Sequence, residues 1–340
     1  MSVVFGNRPD AALPLMDAGQ TREEISAQTG QVLGVHDCSL DVAAGEIVVL
    51  MGLSGSGKST LLRAVNGLNP VTRGALRVAM TGGAAPDLID VGTCDARTLR
   101  KLRAERVAMV FQQFALLPWR SVRDNVALGL ELAGMPAAER RQRADEQLEL
   151  VNLETWADRP VQELSGGMQQ RVGLARAFAT QAPILLMDEP FSALDPLIRT
   201  KLQDELLQLQ RQLDRTIIFV SHDLDEAMKL GSRIAIMEGG RIVQLGTPQD
   251  IVLRPATPYV ADFVAHINPL NVLRAVEVMR PLEGAAVPPR AIPVPVTTPL
   301  GDLITARLAR PDTLVVTDGD VPVGTIEDSD IMRALVRRAD

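Results

Sequence analysis

Apolar runs and polar stretches alternate along this chain in a strand-then-helix rhythm. Ile47–Met51 is an unbroken apolar run, the mark of a strand covered on both faces of a sheet. Ile184–Met187 and Thr216–Val220 repeat that pattern at strand length. Leu202, Leu206, Leu209 and Leu213 recur at helical spacing and give one apolar face. Ser59–Val65, Thr98–Arg106 and Met168–Ala179 also read as helices, and Val107–Phe111 reads as a strand. Residues 120–160 read as helical, with Leu128, Leu132, Leu148 and Val151 as the apolar positions. Val35–Val42 alternates apolar with polar and predicts a further strand. Ile234–Met237 and Arg241–Leu245, around Gly239-Gly240, predict a hairpin. Near the start, Asp10–Met16 and Thr21–Gln28 carry helical patterns, and Thr21 with Glu24 forms a capping-box pair. Strands alternating with helices predict an α/β fold, a mainly parallel sheet wrapped by helices.

The pattern then changes. Six prolines fall between Pro281 and Pro299, which excludes helix and central strand and predicts a linker over 276–299. Residues 300–340 read as a small α+β unit: helix, strand, a turn at Asp318-Gly319-Asp320, strand, and a helix over Ile331–Arg338.

Composition narrows the classes. The chain has 340 residues, 46% hydrophobic and 23% charged, which excludes a disordered or disulfide-scaffold protein. A net charge of −7 disfavours nucleic acid as a partner. Two cysteines, Cys38 and Cys94, fit a reducing compartment, and no apolar run approaches the ~20 residues of a membrane span. The start, Met1–Asp10, lacks the features of a secretory signal, so a cytoplasmic location is expected.

Gly52-Leu53-Ser54-Gly55-Ser56-Gly57-Lys58-Ser59 matches the phosphate-binding P-loop, placed between a buried strand and a helix that continues through Thr60. Its glycines turn backbone N–H groups onto phosphate oxygens, Lys58 reaches the terminal phosphates, and the Ser59 hydroxyl suits magnesium. Asp188 ends the strand Ile184–Met187 and can hold magnesium through water, and Glu189 is placed to polarise an attacking water. Leu164-Ser165-Gly166-Gly167-Met168-Gln169-Gln170-Arg171 is a second glycine turn opening a helix. One P-loop needs only one cradle, so the second makes sense on the nucleotide of another copy across a two-fold axis.

LSGGMQQR resembles the signature motif of ABC transporter ATPases. The other motifs occur in the order that family implies: Gln112 as the Q-loop glutamine, Ser192-Ala193-Leu194-Asp195 as the D-loop, and His222 as the H-loop histidine. The resemblance implies an ATP-hydrolysing cassette over 1–275 with a helical subdomain at about 113–180, working as a homodimer with ATP and Mg2+. It makes Glu189, His222 and Gln112 the catalytic candidates. Gly52, Ser54–Thr60 (Ser54, Gly55, Ser56, Gly57, Lys58, Ser59, Thr60), Ser165, Gly166, Gly167, Gln169 and Asp195 are the nucleotide-binding candidates, and Ser59, Gln112 and Asp188 the metal candidates. Phe5 is the candidate for stacking on adenine, with plain packing as its other reading.

Around the motifs, Met51–Gly57, FQQFALLPW (Phe111–Trp119) and Ile198–Asp204 look like the quaternary-amine uptake ATPases, and Tyr259–Asn271 is similar to the choline branch. That likeness implies an importer of choline, or alternatively of glycine betaine or proline betaine. The chain would sit peripherally on the cytoplasmic face of the inner membrane, against integral permease subunits, with an extracytoplasmic binding protein as an indirect partner. A soluble non-transport ABC ATPase fits less well, since neither a long coiled coil nor a second cassette is present. Phe114, Leu116, Leu117 and Trp119 are either a permease-facing patch or core. Residues 300–340 resemble part of one CBS module, where betaine-importer ATPases often carry a tandem.

Overall fold

The computed structural model describes residues 1–83, 86–282 and 290–336, without the side chains of Leu209, Leu213, Asn271 and Val336. Two apolar positions of the leucine face, Pro288 and Pro289 of the proline run, and Arg337 and Arg338 of the last helix therefore lie outside the described residues. The chain divides into two compact units, Met1–Asp223 with Leu230–Leu245, and Leu224–Lys229 with Gly246–Asp340.

The first unit opens with β1 (Val3–Phe5), α1 (Leu13–Asp17), α2 (Arg22–Thr29) and β2 (Val32–Val35). β2 returns antiparallel to β1, with Phe5 opposite Val32. The Thr21–Glu24 capping box forms as expected at the start of α2. The strand expected over Val35–Val42 is instead Val32–Val35. Asp37 takes a left-handed φ of 48°, which an extended strand cannot contain.

The elements β3 (Ile47–Met51), α3 (Lys58–Val65), β4 (Arg77–Ala79), β5 (Leu88–Asp90), α4 (Ala96–Glu105) and β6 (Val107–Val110) follow. Next come α5 (Val122–Leu132), α6 (Ala137–Leu150), α7 (Gly166–Ala179), β7 (Ile184–Asp188), α8 (Pro196–Leu213), β8 (Thr216–Val220), α9 (Leu224–Leu230), β9 (Arg233–Glu238) and β10 (Arg241–Gly246). The central sheet has the order β10-β9-β3-β8-β7-β6. β9, β3, β8, β7 and β6 run parallel. Every residue of β3 is buried, as an apolar strand covered on both faces must be.

Helices α5, α6 and α7 pack on one another. Val122, Asn125, Val126, Ala127 and Leu130 are buried on α5, whereas Leu132, one of the expected apolar positions, is 78% exposed. Leu132 is the last residue of the helix, beyond the buried stripe that runs through Val122, Val126 and Leu130.

The second unit takes all of α9 but its last residue and carries α10 (Pro248–Leu253), α11 (Pro258–Val264), α12 (Ala275–Val278), β11 (Arg280–Pro281), β12 (Ile292–Pro295), α13 (Leu300–Ala309), β13 (Leu314–Asp318), β14 (Val321–Ile326) and α14 (Asp328–Val336). Its sheet has the order β11-β14-β13-β12. β12 lies in the stretch read as a linker. Among the described residues it is an edge strand that pairs with β13 alone, so its two prolines cost the ladder little. Leu273, Ala275 and Val278 share a core with Val294, Leu300, Leu303, Leu314, Val316 and Ile326.

Candidate nucleotide site

Four adjacent strand ends build the site, because ligands in open α/β sheets bind beyond the carboxyl ends of the strands. Leu50 in β3 is level with Val220 in β8, and Val220 is level with Asp188 in β7. Met187 is level with Val110 in β6. The residues just past these positions are Gly52, His222, Glu189 and Gln112, which therefore emerge side by side.

Gly52 and Gly57 take φ of 141° and 100°, reserved in practice for glycine. A Cβ on Gly52 would lie 2.1 Å from Met237 O, and one on Gly57 2.4 Å from Gly34 O. The loop is thus packed tightly against its neighbours, which fixes its N–H groups. The Lys58 ammonium is buried and donates to Gly52 O at 2.8 Å and Leu53 O at 3.0 Å. Burial lowers its pKa, opposed by the charges of Glu189 and Asp188. The buried Ser56 Oγ, within the candidate phosphate loop, has no hydrogen-bond partner among the described residues.

Ser59 Oγ donates to Asp188 Oδ1 at 2.7 Å. The other carboxylate oxygen accepts from Arg63 at 2.9 Å, and Asp188 is fully buried. Glu189 Oε2 collects two neighbours, Gln112 Nε2 at 3.2 Å and His222 Nδ1 at 3.4 Å. The three catalytic candidates thus converge on one carboxylate oxygen. Glu189 itself has a left-handed φ of 51°, a strain of about 1–3 kcal/mol that its surroundings must hold. They do so at the backbone: its N–H donates to Val220 O at 3.1 Å, and its carbonyl accepts from Gln170 Nε2 at 3.1 Å and Ser192 Oγ at 3.0 Å.

The candidates of the glycine turn, and Asp195, make local contacts instead. Ser165 caps α7 by accepting from Met168 N, Gln169 donates to Leu164 O, and Asp195 caps α8 by accepting from Ile198 N. Ser165, Gly166 and Asp195 are exposed, as are Ser54 and Gly55 of the P-loop, while Thr60 is half-buried. Phe5, 37% exposed, lies beside α3: a Cβ on Gly34 would meet Phe5 Cε2 at 2.8 Å and Thr60 Cγ2 at 2.9 Å. Of the apolar patch, Trp119 is 77% exposed and Phe114, Leu116 and Leu117 are half-buried.

Among known proteins, the ABC transporter family matches residues 35–192. The glycine betaine/proline betaine transport system ATP-binding protein ProV of Escherichia coli is 50% identical over 82% of this chain and 67% of its own length. The trimethylamine N-oxide transport system ATP-binding protein TmoW of Ruegeria pomeroyi is 47% identical over 80% of this chain and 77% of its own. The chain belongs to the ABC transporter ATP-binding subunits. It spans about two thirds of the length of its betaine-system relatives. A solved dimeric cassette, MJ0796, bound to ADP and Pi after hydrolysis, is 35% identical with a TM-score of 0.59, over 64% of this chain and 91% of that one. An ABC cassette of this family is an ATPase, and its P-loop α/β fold is the one expected from the sequence.

Three residues of this ABC cassette had no role assigned from the sequence, although Gln170 lies within the Leu164–Arg171 motif. Arg63 is one turn past Ser59 on α3, a spacing that puts it on the same face. Gln170 is buried and also accepts from Ala193 N at 3.0 Å, tying α7 to the segment after Glu189. Arg176 donates to Phe114 O at 2.8 Å and Ala115 O at 2.7 Å. Those two residues have left-handed φ of 55° and 48° just after Gln112. No local sequence signal marks any of these contacts except the helical spacing of Arg63.

Proposed function

We propose that this chain energises a membrane importer of a small quaternary amine. Glycine betaine is the first substrate to test, and choline, suggested by the stretch Tyr259–Asn271, is the second. The observation that carries the reading is the 50% identity to a glycine betaine/proline betaine transport ATPase across 82% of the chain. Glu189 orients and polarises the attacking water, while Gln112 and His222 hold its carboxylate and sense the terminal phosphate. Lys58 and the P-loop N–H groups take the phosphates, and Phe5 stacks on the base.

The donor set suits magnesium, which takes one or two protein oxygens and completes its shell with water and phosphate. Ser59 and Asp188, with Gln112, would hold it, and it would neutralise charge on the transferred phosphate. Ser165, Gly166, Gly167, Gln169 and Asp195 serve the nucleotide of a second copy in a symmetric dimer. The exposed Trp119, with Phe114, Leu116 and Leu117, forms the permease-facing patch. The chain works at the cytoplasmic face of the membrane, with a substrate-binding protein acting on the far side. No helix among the described residues is long and apolar enough to cross a membrane.

Uptake of labelled glycine betaine and choline, by cells with and without this chain, tests the reading. Loss of one uptake with copurification of an integral membrane protein supports it. Unchanged uptake of both overturns it.

A further inference from the structure

Between β1 and β2 the chain inserts α1 and α2, and the insert has a core of its own. Ile25 of α2 is fully buried with Val4, Ala12, Met16 and Leu33. The insert is anchored at both ends, because Phe5 and Val32 are paired across the two strands. Its α2 is fixed at the start by the reciprocal Thr21–Glu24 cap. The first residue of this helix, Arg22, reaches the P-loop, where Nη1 donates to Gly55 O at 2.7 Å.

Arg22 carries five N–H donors in a planar fork. Among the described residues that carbonyl is its single hydrogen-bond acceptor, and no ion pair includes it. An arginine with four uncommitted donors, held at the edge of a phosphate loop by a built helix, is poised for an anion. The loop it touches is the phosphate end of the site, whereas Phe5, on the strand that opens the insert, marks the base end beside Thr60.

We propose that Arg22 is a nucleotide-binding residue, which hydrogen-bonds a phosphate oxygen of the nucleotide seated in the P-loop and so makes the N-terminal insert part of the nucleotide site. This rests on the reading of Gly52–Ser59 as the phosphate cradle. Arg22 adds affinity for the polyphosphate and takes no part in the hydrolysis itself, which belongs to Glu189 and its neighbours.

The test is calorimetric binding of ADP and of adenosine to the full chain carrying Arg22→Gln, Arg22→Lys or Lys58→Ala, with ATPase kinetics on the first two. The expected result for Arg22→Gln is a five- to tenfold weaker ADP affinity, the size of about one partly exposed charge-assisted hydrogen bond. That loss should shrink at high salt, since the arginine is only half-buried. Adenosine binding should not change. Arg22→Lys should recover most of the ADP affinity, and KM for ATP should rise in Arg22→Gln with kcat within about twofold of wild type. An Arg22→Gln chain that binds ADP like wild type, or loses kcat at unchanged KM, overturns the proposal. If Lys58→Ala also binds ADP like wild type, the phosphate-cradle reading itself has failed. If Lys58→Ala alone loses binding, only the role of Arg22 has.

Discussion

Replacing Arg176 by Met keeps the aliphatic stem and removes the guanidinium that bonds Phe114 O and Ala115 O. Two charge-assisted hydrogen bonds are worth about 3 kcal/mol net. Against this, Phe114 and Ala115 are non-glycine residues at left-handed φ, and letting both relax returns about 1–2 kcal/mol apiece. Burial also lowers the pKa of Arg176, so removing the cation relieves a desolvation cost. The terms nearly cancel, and unfolding in urea should show a loss of no more than about 1 kcal/mol. Catalysis should suffer far more. Phe114 is two residues past Gln112, whose amide reaches Glu189 Oε2, and misplacing a catalytic contact by an ångström can cost up to about a hundredfold. The expected result is a fall in kcat of roughly tenfold or more at nearly normal stability. Arg176→Met and Gln112→Ala together should then be no worse than Gln112→Ala alone, because the arginine acts through the glutamine. Independent, multiplying losses in kcat, or a wild-type kcat in Arg176→Met, would refute the reasoning.

Four further outcomes are expected. Glu189→Gln should lower ATP turnover by about 10²–10⁴ while nucleotide titration still shows binding; wild-type turnover would remove Glu189 from its role. A mixed dimer of Lys58→Ala with Ser165→Arg should retain about half of wild-type ATPase activity, since both lesions then fall on one composite site; complete inactivity of that heterodimer argues against sharing between copies. Burial, and then the Arg241 charge, hold the His36 pKa below the ordinary 6.5, with Asp37 and Asp17 pulling upward and Arg73 downward. The unfolded imidazole therefore takes up a proton first, so thermal stability should fall as pH drops below 6.5, and His36→Gln should flatten that fall in melting scans; an unchanged pH slope in the variant would exclude His36 as the cause. Deleting Pro281–Asp340 strips Val294, Leu300, Leu314, Val316 and Ile326 from the core that also holds Leu273, Ala275 and Val278. Lower thermal stability is expected, with ATPase activity per folded chain largely kept; full loss of activity in a folded deletion would assign the terminal unit to catalysis.

Local chemistry settled much of this protein in advance. The P-loop glycines, Lys58 and Ser59 are legible because phosphate binding demands particular residue types at fixed offsets within one strand, turn and helix. Ile47–Met51, Ile184–Met187 and Thr216–Val220 announced themselves as buried strands because a strand covered on both faces has no polar side. The Thr21 cap was legible for the same reason, its two bonds spanning only three residues. What spacing cannot carry is strand order. The placing of β8 between β3 and β7 is what brings His222 to the Glu189 carboxylate, and it follows from how four strands pack against their helices. Bonds between distant segments, Arg176 on Phe114 O, Gln170 on Glu189 O and Arg22 on Gly55 O, have backbone carbonyls on one side, and a carbonyl belongs to every residue alike. The prolines of β12 misled for a related reason: they forbid a central strand, but only the assembled sheet decides which strand is an edge.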